Sequence, residues 1–531
     1  MNPLASPSSK FVLSVACPLL ACGTSHAGTV DCADLRRLNL ADAVVVSAEL
    51  HAAGPFKPPA GAPFDVAGPF CRVVISARPS PGSDIAIEVW LPDAARWNGR
   101  FWGLGNGGFG GSISHRGLGT RIAAGYAAVA TDTGHQGDSA DASWAIGQPQ
   151  KVIDYGHRAI HLAAAHGKRV VAGYYGRKPD FSYFSAYSNG GRQALMLAQR
   201  YPEDYDGIIA GAPAYDFTAT YAAVADLQFD VLADADRHLT PDLLAALNRA
   251  ALDACDATDG VKDGVIEEPD LCRFDPAVLA CKGEFSERCL SPAQVLTARR
   301  LYSGLRLPAA GRPVGALPPG SELAWESIHF GKGPSTGEYY PYVLGFMRGF
   351  VFEDPAWDPK SFDILRYTAV AERKVAPVVD AVSPDLRRFF GRGGKLILWH
   401  GWNDPLVSGF ATVDYYARVL DALGPESARQ GVRLFMAPGV EHGRGGPGPD
   451  QFGQFAGGTG DPDRSLAAAM QRWVERGVAP ERVIASRAPD PKSAASSAPR
   501  TRPLCAWPMS ARYRGTGSTD DAANFDCVNV R

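Results

Sequence analysis

Neither sign of charge dominates this 531-residue chain: 53 Lys and Arg stand against 56 Asp and Glu, a formal net charge of -3. No basic stripe marks a nucleic-acid surface, and no acidic block marks a solvating tail. No CxxC pair occurs among the 10 cysteines, which argues against zinc ribbons and thioredoxin-like redox chemistry. Beyond the N-terminus, no stretch is long and apolar enough to span a membrane. No internal repeat is evident. Around Ser188 the strict G-x-S-x-G pattern of a nucleophile elbow does not match either, because Ala186 replaces the first glycine. Glycine and proline are plentiful, at 58 and 41, but spread along the chain. That distribution implies many ordered loops rather than a disordered polymer.

A hydrophobic content of 46% allows a large core and more than one average domain. The N-terminus reads as an export signal over 1–27. Lys10 precedes an apolar run from Phe11 to Leu20, and Ser25-His26-Ala27 offers small residues at -3 and -1, so maturation is expected near Gly28. Leu19-Leu20-Ala21-Cys22 also fits a lipobox, a competing route to a lipid-anchored form through Cys22. The expected location is exported, periplasmic or secreted. Cys17 and Cys22 leave with the signal. Eight cysteines remain: Cys32, Cys71, Cys255, Cys272, Cys281, Cys289, Cys505 and Cys527. An even number in an exported chain reads as disulfides, with pairing that spacing alone leaves open.

Strand-like stretches then alternate with helical ones. Cys71 to Ser76 and Asp84 to Leu91 alternate apolar and polar, as half-buried strands do. Arg100 to Leu104 runs into a glycine-rich loop, Gly105 to Gly111, with no clear helix after it. Tyr126 to Thr131, Tyr183 to Ala186 and Asp206 to Gly211 read as strands, and Arg158 to Tyr175 and Arg192 to Arg200 as helices. The alternation predicts a mainly parallel sheet with helices on both faces. From 217 to 388 the character changes. This segment holds four of the eight remaining cysteines and is rich in Pro, Trp, Tyr and Phe, which suggests an inserted lid domain. The sheet pattern returns at Gly394 to His400 and Val432 to Met436, followed by a helical pattern at Ser465 to Glu475 and a Pro/Ala/Ser-rich loop at Asp490 to Arg500. The expected division is therefore core over 28–216, lid over 217–388 and core again over 389–531.

A serine hydroxyl becomes a useful nucleophile only beside a base, and the base needs an orienting carboxylate. In α/β-hydrolases these follow the chain order Ser, then Asp or Glu, then His, each just past a strand. Ser188, Asp404 and His442 meet that order here, after the strands ending near Ala186, Trp399 and Met436. Alone, each also reads as an ordinary turn or loop residue. Ala186 and Gly190 supply the small flanks that the strained elbow needs, Ala186 replacing the usual first glycine. Backbone N–H donors for the oxyanion are expected from Asn189 and from Gly107 or Gly108. A dinucleotide-binding reading of the glycine loop fits poorly, since no ribose-binding carboxylate is evident.

On these stretches the chain resembles the tannase and feruloyl esterase family, which includes MHETase. The resemblance is carried by Tyr183 to Pro213 around Ser188, by His400-Gly-Trp-Asn-Asp404-Pro, by Pro438-Gly-Val-Glu-His442 and by Gly105 to Gly111. The tail from Thr501-Arg-Pro-Leu-Cys505 to Cys527 carries it too. It implies an α/β-hydrolase fold with a large lid inserted between the Ser and Asp segments, and the triad Ser188, Asp404 and His442. It implies a structural Ca²⁺ in the lid, held by Asp256, Asp259 and Asp263 with the backbone carbonyls of Val261 and Val265. Hard oxygen donors in a tight loop suit that ion. It implies the pairs Cys32–Cys71, Cys255–Cys272, Cys281–Cys289 and Cys505–Cys527.

One departure stands out. The family usually has bonded cysteines just before the serine and just after the histidine, and here those positions are Tyr187 and Gly443, so packing must align the triad. Tyr187 is the candidate to occupy the vacated space. Candidate substrate-binding residues are Trp325, Tyr342, Phe346 and Leu406, with Phe350 nearby. Tyr342 stands where MHETase places an arginine for the substrate carboxylate, and Arg348 is offset from that position. The expected activity is therefore hydrolysis of small aromatic, phenolic esters by an acyl-enzyme route, of feruloyl esterase or tannase type. The alternatives are hydrolysis of mono(2-hydroxyethyl) terephthalate and, from another class, a non-catalytic exported binding protein on a hydrolase scaffold. Nothing in the sequence sets the oligomeric state.

Overall fold

The computed structural model describes residues 30–283, 288–307, 313–455, 460–488 and 499–531. The expected signal and lipobox, and most of the loop at 490–500, lie outside the described residues. Nine strands form one sheet: β1 Ala43–His51, β2 Phe70–Ala77, β3 Ile85–Pro92, β4 Arg100–Leu104, β5 Ala127–Thr131, β6 Phe181–Tyr187, β7 Gly207–Gly211, β8 Lys395–Gly401 and β9 Val432–Ala437. Their spatial order is β1-β2-β3-β5-β4-β6-β7-β8-β9. From β5 to β9 neighbours run parallel, and β1, β2 and β3 are joined antiparallel at one edge. Strand β1 lacks a clear pattern because it sits at the edge, where Val44, Val46 and Leu50 are exposed.

The central strands read as continuous apolar runs because both faces are covered. Along β8, Leu396 and Leu398 join one core while Ile397 and Trp399 join the other. Phe101 and Trp102 of β4 divide in the same way. Helices α2 Ala159–Tyr175, α3 Asn189–Arg200 and α4 Gly409–Leu423 cover the first face. Helices α1 His115–Ala123 and α5 Leu466–Arg476 cover the second. This is the α/β-hydrolase arrangement. Helix α1 corrects the expectation that no helix follows the glycine loop. Gly117 and Gly119 weaken its intrinsic propensity, and burial of Leu118 and Ile122 compensates.

The residues between β7 and β8, two hydrogen-bonded neighbours in the sheet, form an insertion of short helices. Part of it packs on the core through Phe109, Tyr155, Phe217, Tyr221 and Phe346. A second cluster within it gathers Leu243, Leu247, Leu290, Trp325 and Phe330. Four disulfides join Cys32–Cys71, Cys255–Cys272, Cys281–Cys289 and Cys505–Cys527, using every cysteine among the described residues. The C-terminal hairpin Met509–Tyr513 with Phe525–Asn529 grips the insertion: the Ala511 N–H donates to Glu267 Oε1 at 3.0 Å. No described helix is long and apolar enough to cross a membrane.

Candidate active site

Ser188 sits between the end of β6 and the start of α3 with φ 63° and ψ -129°, a conformation that an L-residue holds only where its surroundings force it. Its N–H donates to Gly211 O at 3.0 Å, and its carbonyl accepts from Arg192 N at 3.1 Å and Ala214 N at 3.2 Å. The turn is crowded. A Cβ on Gly190 would lie 2.5 Å from the Ala186 methyl, and one on Gly191 would lie 2.3 Å from Gly211 O. Glycine is therefore required on the helix side, which leaves room for an alanine on the strand side.

Asp404, fully buried past the end of β8, accepts from His442 Nδ1 at 2.6 Å and His400 Nε2 at 3.1 Å through Oδ2. Its Oδ1 accepts from the N–H groups of Leu406 and Val407 at 2.8 and 3.0 Å. Burial alone would raise this carboxyl. The facing His442 and the hydrogen bonds from His400 and His442 outweigh that cost and hold it below the usual carboxylate range. Because the folded value is depressed, Asp404 contributes stability above its unfolded value of about 4 and loses it only as pH falls through the depressed one.

His400 was not singled out from the sequence, although it lies four residues before Asp404. Its Nε2 also meets Val407 O at 2.9 Å, so that nitrogen faces two acceptors and must carry the proton, while Nδ1 meets Thr412 Oγ1 at 2.7 Å. His400 is thus fixed as a donor to Asp404, and Asp404 in turn orients His442.

Ser188 and His442 line one cavity of about 330 Å³ with Asn189, Gly107, Gly108, Tyr342 and Leu406. The Phe109 and Gly110 N–H groups donate to Ser139 O and Gly107 O. Among the described residues, no acceptor is recorded for the N–H groups of Gly107 and Gly108. Asn189 opens α3, so its N–H has no partner within the helix. Its side chain is fixed from behind, where Oδ1 accepts from Tyr155 Oη at 3.0 Å and from Arg192 Nε at 2.7 Å. Arg192 is fully buried and donates also to the carbonyls of Tyr155, Gly156 and Val379. Neither residue was given a role from the sequence, although Arg192 lies within the stretch around Ser188, since each matters only through where it folds.

Tyr342 closes one wall, its hydroxyl 2.9 Å from Ser139 Oγ. Phe346 and Phe350 stand behind the wall in an aromatic cluster with Tyr221 and Phe109. Trp325 does not line the cavity; it is buried beside Tyr302 with its indole N–H on Ser321 Oγ at 3.0 Å. Arg348 does not line the cavity either, and its Nε donates to Trp357 O. Among the described residues, no Lys or Arg lines the cavity, and Glu338 is the one carboxylate in its wall.

The ring of Tyr187 lies 5.5 Å from His442 and 5.2 Å from Phe455, between centroids. Gly443 adopts φ 87°, and a Cβ there would come within 2.8 Å of that ring. Tyrosine and glycine at these two positions therefore fit each other sterically.

In the loop 256–265, Asp256 and Asp259 are buried, and Gly260 and Gly264 turn the chain at positive φ. Asp256 accepts from the N–H groups of Asp263 and Gly264, and Asp259 from Val261 N–H. Burial, reinforced by Asp263 and Glu268, pushes the Asp259 carboxyl up to about 6 against the opposing pull of Arg502. Three carboxylates and the carbonyls of Val261 and Val265 within ten residues are a donor set of the kind calcium takes. As arranged, Asp263 instead faces Arg502 at 2.5 Å, and no three acidic, His or Cys side chains gather closely enough for a metal among the described residues.

The family model described as tannase and feruloyl esterase matches residues 71–528. The chain belongs to this family. It is 38% identical over 541 residues to an uncharacterized esterase of Xanthomonas campestris pv. campestris, covering 95% of this chain and 92% of that one. It is 31% identical over 464 residues to a probable feruloyl esterase B-1 of Aspergillus flavus, covering 86% of each. The crystal structure of feruloyl esterase B from Aspergillus oryzae superposes with a TM-score of 0.85 at 29% identity, over 94% of this chain and 99% of that one. Tannin acyl hydrolase from Aspergillus niger shares the fold, with a TM-score of 0.73 at 21% identity over 92% of each chain. This member of the family is a carboxylic ester hydrolase.

The packing of Tyr187 yields a prediction. The phenol hydroxyl has no hydrogen-bond partner recorded among the described residues, so Tyr187→Phe keeps wild-type kcat. Tyr187→Ala removes the ring beside His442 and lowers kcat by roughly 10- to 100-fold with little change in KM, the scale expected of a slightly misplaced catalytic group. Steady-state kinetics of the two variants check this, and equal activity in both would mean that the ring does not align the histidine.

Proposed function

We propose that this chain is an exported serine esterase that hydrolyses phenolic esters through an acyl-enzyme. Ser188 Oγ attacks the ester carbonyl while His442 accepts its proton, with Asp404 orienting the imidazole and balancing its charge. The N–H groups of Asn189 and of Gly107 or Gly108 receive the developing oxyanion. His442 then protonates the departing alcohol, and water, activated by the same imidazole, releases the acid. Export accords with four disulfides, which persist in oxidising compartments.

The observation that carries the substrate class is the lining of the cavity. Aromatic walls with no Lys or Arg among the described residues, and with Glu338 in them, suit a neutral phenolic acyl group. A terephthalate monoester would have to bury its second carboxylate there without a partner, which is costly. The probable feruloyl esterase of Aspergillus flavus points the same way. Methyl ferulate, methyl gallate and mono(2-hydroxyethyl) terephthalate, offered separately, test this. We expect turnover of at least one phenolic ester, little of the terephthalate, and a fall in kcat of about 10⁴- to 10⁶-fold in Ser188→Ala. Preference for the terephthalate would overturn the substrate class, and undiminished turnover in Ser188→Ala would overturn the nucleophile.

We also propose that the loop 256–265 takes a structural calcium ion through Asp256, Asp259, Asp263 and the carbonyls of Val261 and Val265. Binding would draw Asp263 away from Arg502. Calcium in excess should raise Tm, chelator should lower it, and Asp259→Asn should abolish the response. A wild-type Tm indifferent to both calcium and chelator would leave Arg502 as the loop's own cation and contradict the metal.

A further inference from the structure

A second cavity, of about 420 Å³, adjoins the first, and Gly107 and Tyr187 belong to the walls of both. It lies between the glycine loop, the start of α1 and the loop that follows His442. Its charge is opposite in character. Arg116 and Arg444 line it, and no carboxylate among the described residues does. Arg116 lies over Phe64, its guanidinium 4.9 Å from the ring centroid, and donates to Pro63 O at 3.3 Å. That leaves further donors of its planar fork for a ligand. Arg444 is exposed, and neither arginine has an acidic partner recorded among the described residues. Ser114 and Gln454 add polar groups to the same walls.

An ester has two halves, and the glycine loop stands at their junction. With the carbonyl oxygen held at Gly107 and the aromatic acid in the first cavity, the alcohol half projects past Gly107 and Tyr187. On the reading of the site as a phenolic esterase, we propose that the second cavity is the alcohol subsite and that it selects alcohols carrying a carboxylate. The substrate would be an aromatic ester of a hydroxy acid. In the acylation step the bond from Ser188 Oγ to the acyl carbon forms and the bond to the alcohol oxygen breaks. The hydroxy acid leaves with the proton that His442 took from Ser188, and water completes hydrolysis to the aromatic acid. Guanidinium forks match carboxylates in shape as well as charge, which a neutral or cationic alcohol cannot exploit.

Two esters of equal size decide the matter: carboxymethyl ferulate and carbamoylmethyl ferulate, the second being the primary amide of the first. The readout is the ratio of kcat/KM for the acid over that for the amide. The wild type should favour the acid by about fivefold or more, the scale of a partly exposed ion pair, and the preference should shrink as salt is raised. Arg444→Met and Arg116→Met should each lower the ratio and the double variant should bring it near one, while Arg444→Lys keeps part of it. A wild-type ratio near one at low salt overturns the subsite, as does a ratio that survives the double substitution. The salt dependence of the wild type stands even if a variant fails to fold. If the folded wild type hydrolyses neither ester, the esterase reading fails rather than the subsite.

Discussion

The backbone of Ser188, held at φ 63° between a strand and a helix, sets the terms for everything around it. A turn this tight brings Gly190 against Ala186 and Gly191 against Gly211 O, so neighbouring strand and loop must approach to backbone distance. That approach sets Asn189 N–H at the mouth of α3 beside Gly107 and Gly108, and it points Ser188 into the cavity that His442 also lines. Anchors from three directions, at Gly211, Arg192 and Ala214, hold the strain in place. Such strain is stored at functional sites only where the surroundings over-determine it.

The polar groups form a chain of the same kind. Thr412 meets His400, His400 donates to Asp404, and Asp404 holds His442. Each member is buried enough that leaving one unpaired would cost more than an exposed bond returns. On the other side of Ser188, Arg192 and Tyr155 fix Asn189 through its side chain, and its backbone N–H, at the first position of α3, has no acceptor among the described residues. Tyr187 packs between Gly443 and Phe455, with its ring beside His442.

Much of this was legible in the sequence because the central strands are short, apolar and buried on both faces. Every strand end that carries Ser188, Asp404 or His442 could be placed from its apolar run and the polar or glycine residues after it. The edge strand Ala43–His51 was not, because its outward valines break the alternation that marks a half-buried strand. Helix α1 was hidden by its glycines. The fine structure of the site was hidden for a different reason. His400, Tyr155 and Arg192 act through contacts between residues distant in sequence, or through a buried pairing that composition does not reveal. Trp325 illustrates the converse: an aromatic residue in the insertion looks like a pocket wall, yet its apolar surface is buried in the insertion's own core and does not line the cavity.

Covalent chemistry at one oxygen, Ser188 Oγ, decides whether this serine is the nucleophile. Mass spectrometry of enzyme mixed with a ferulate ester, quenched in acid within milliseconds and digested with pepsin, reads that chemistry directly. A transient feruloyl adduct should form on the peptide that contains Ser188 and decay as product appears. Turnover with no adduct at any quench time, or an adduct on a different residue, would contradict it.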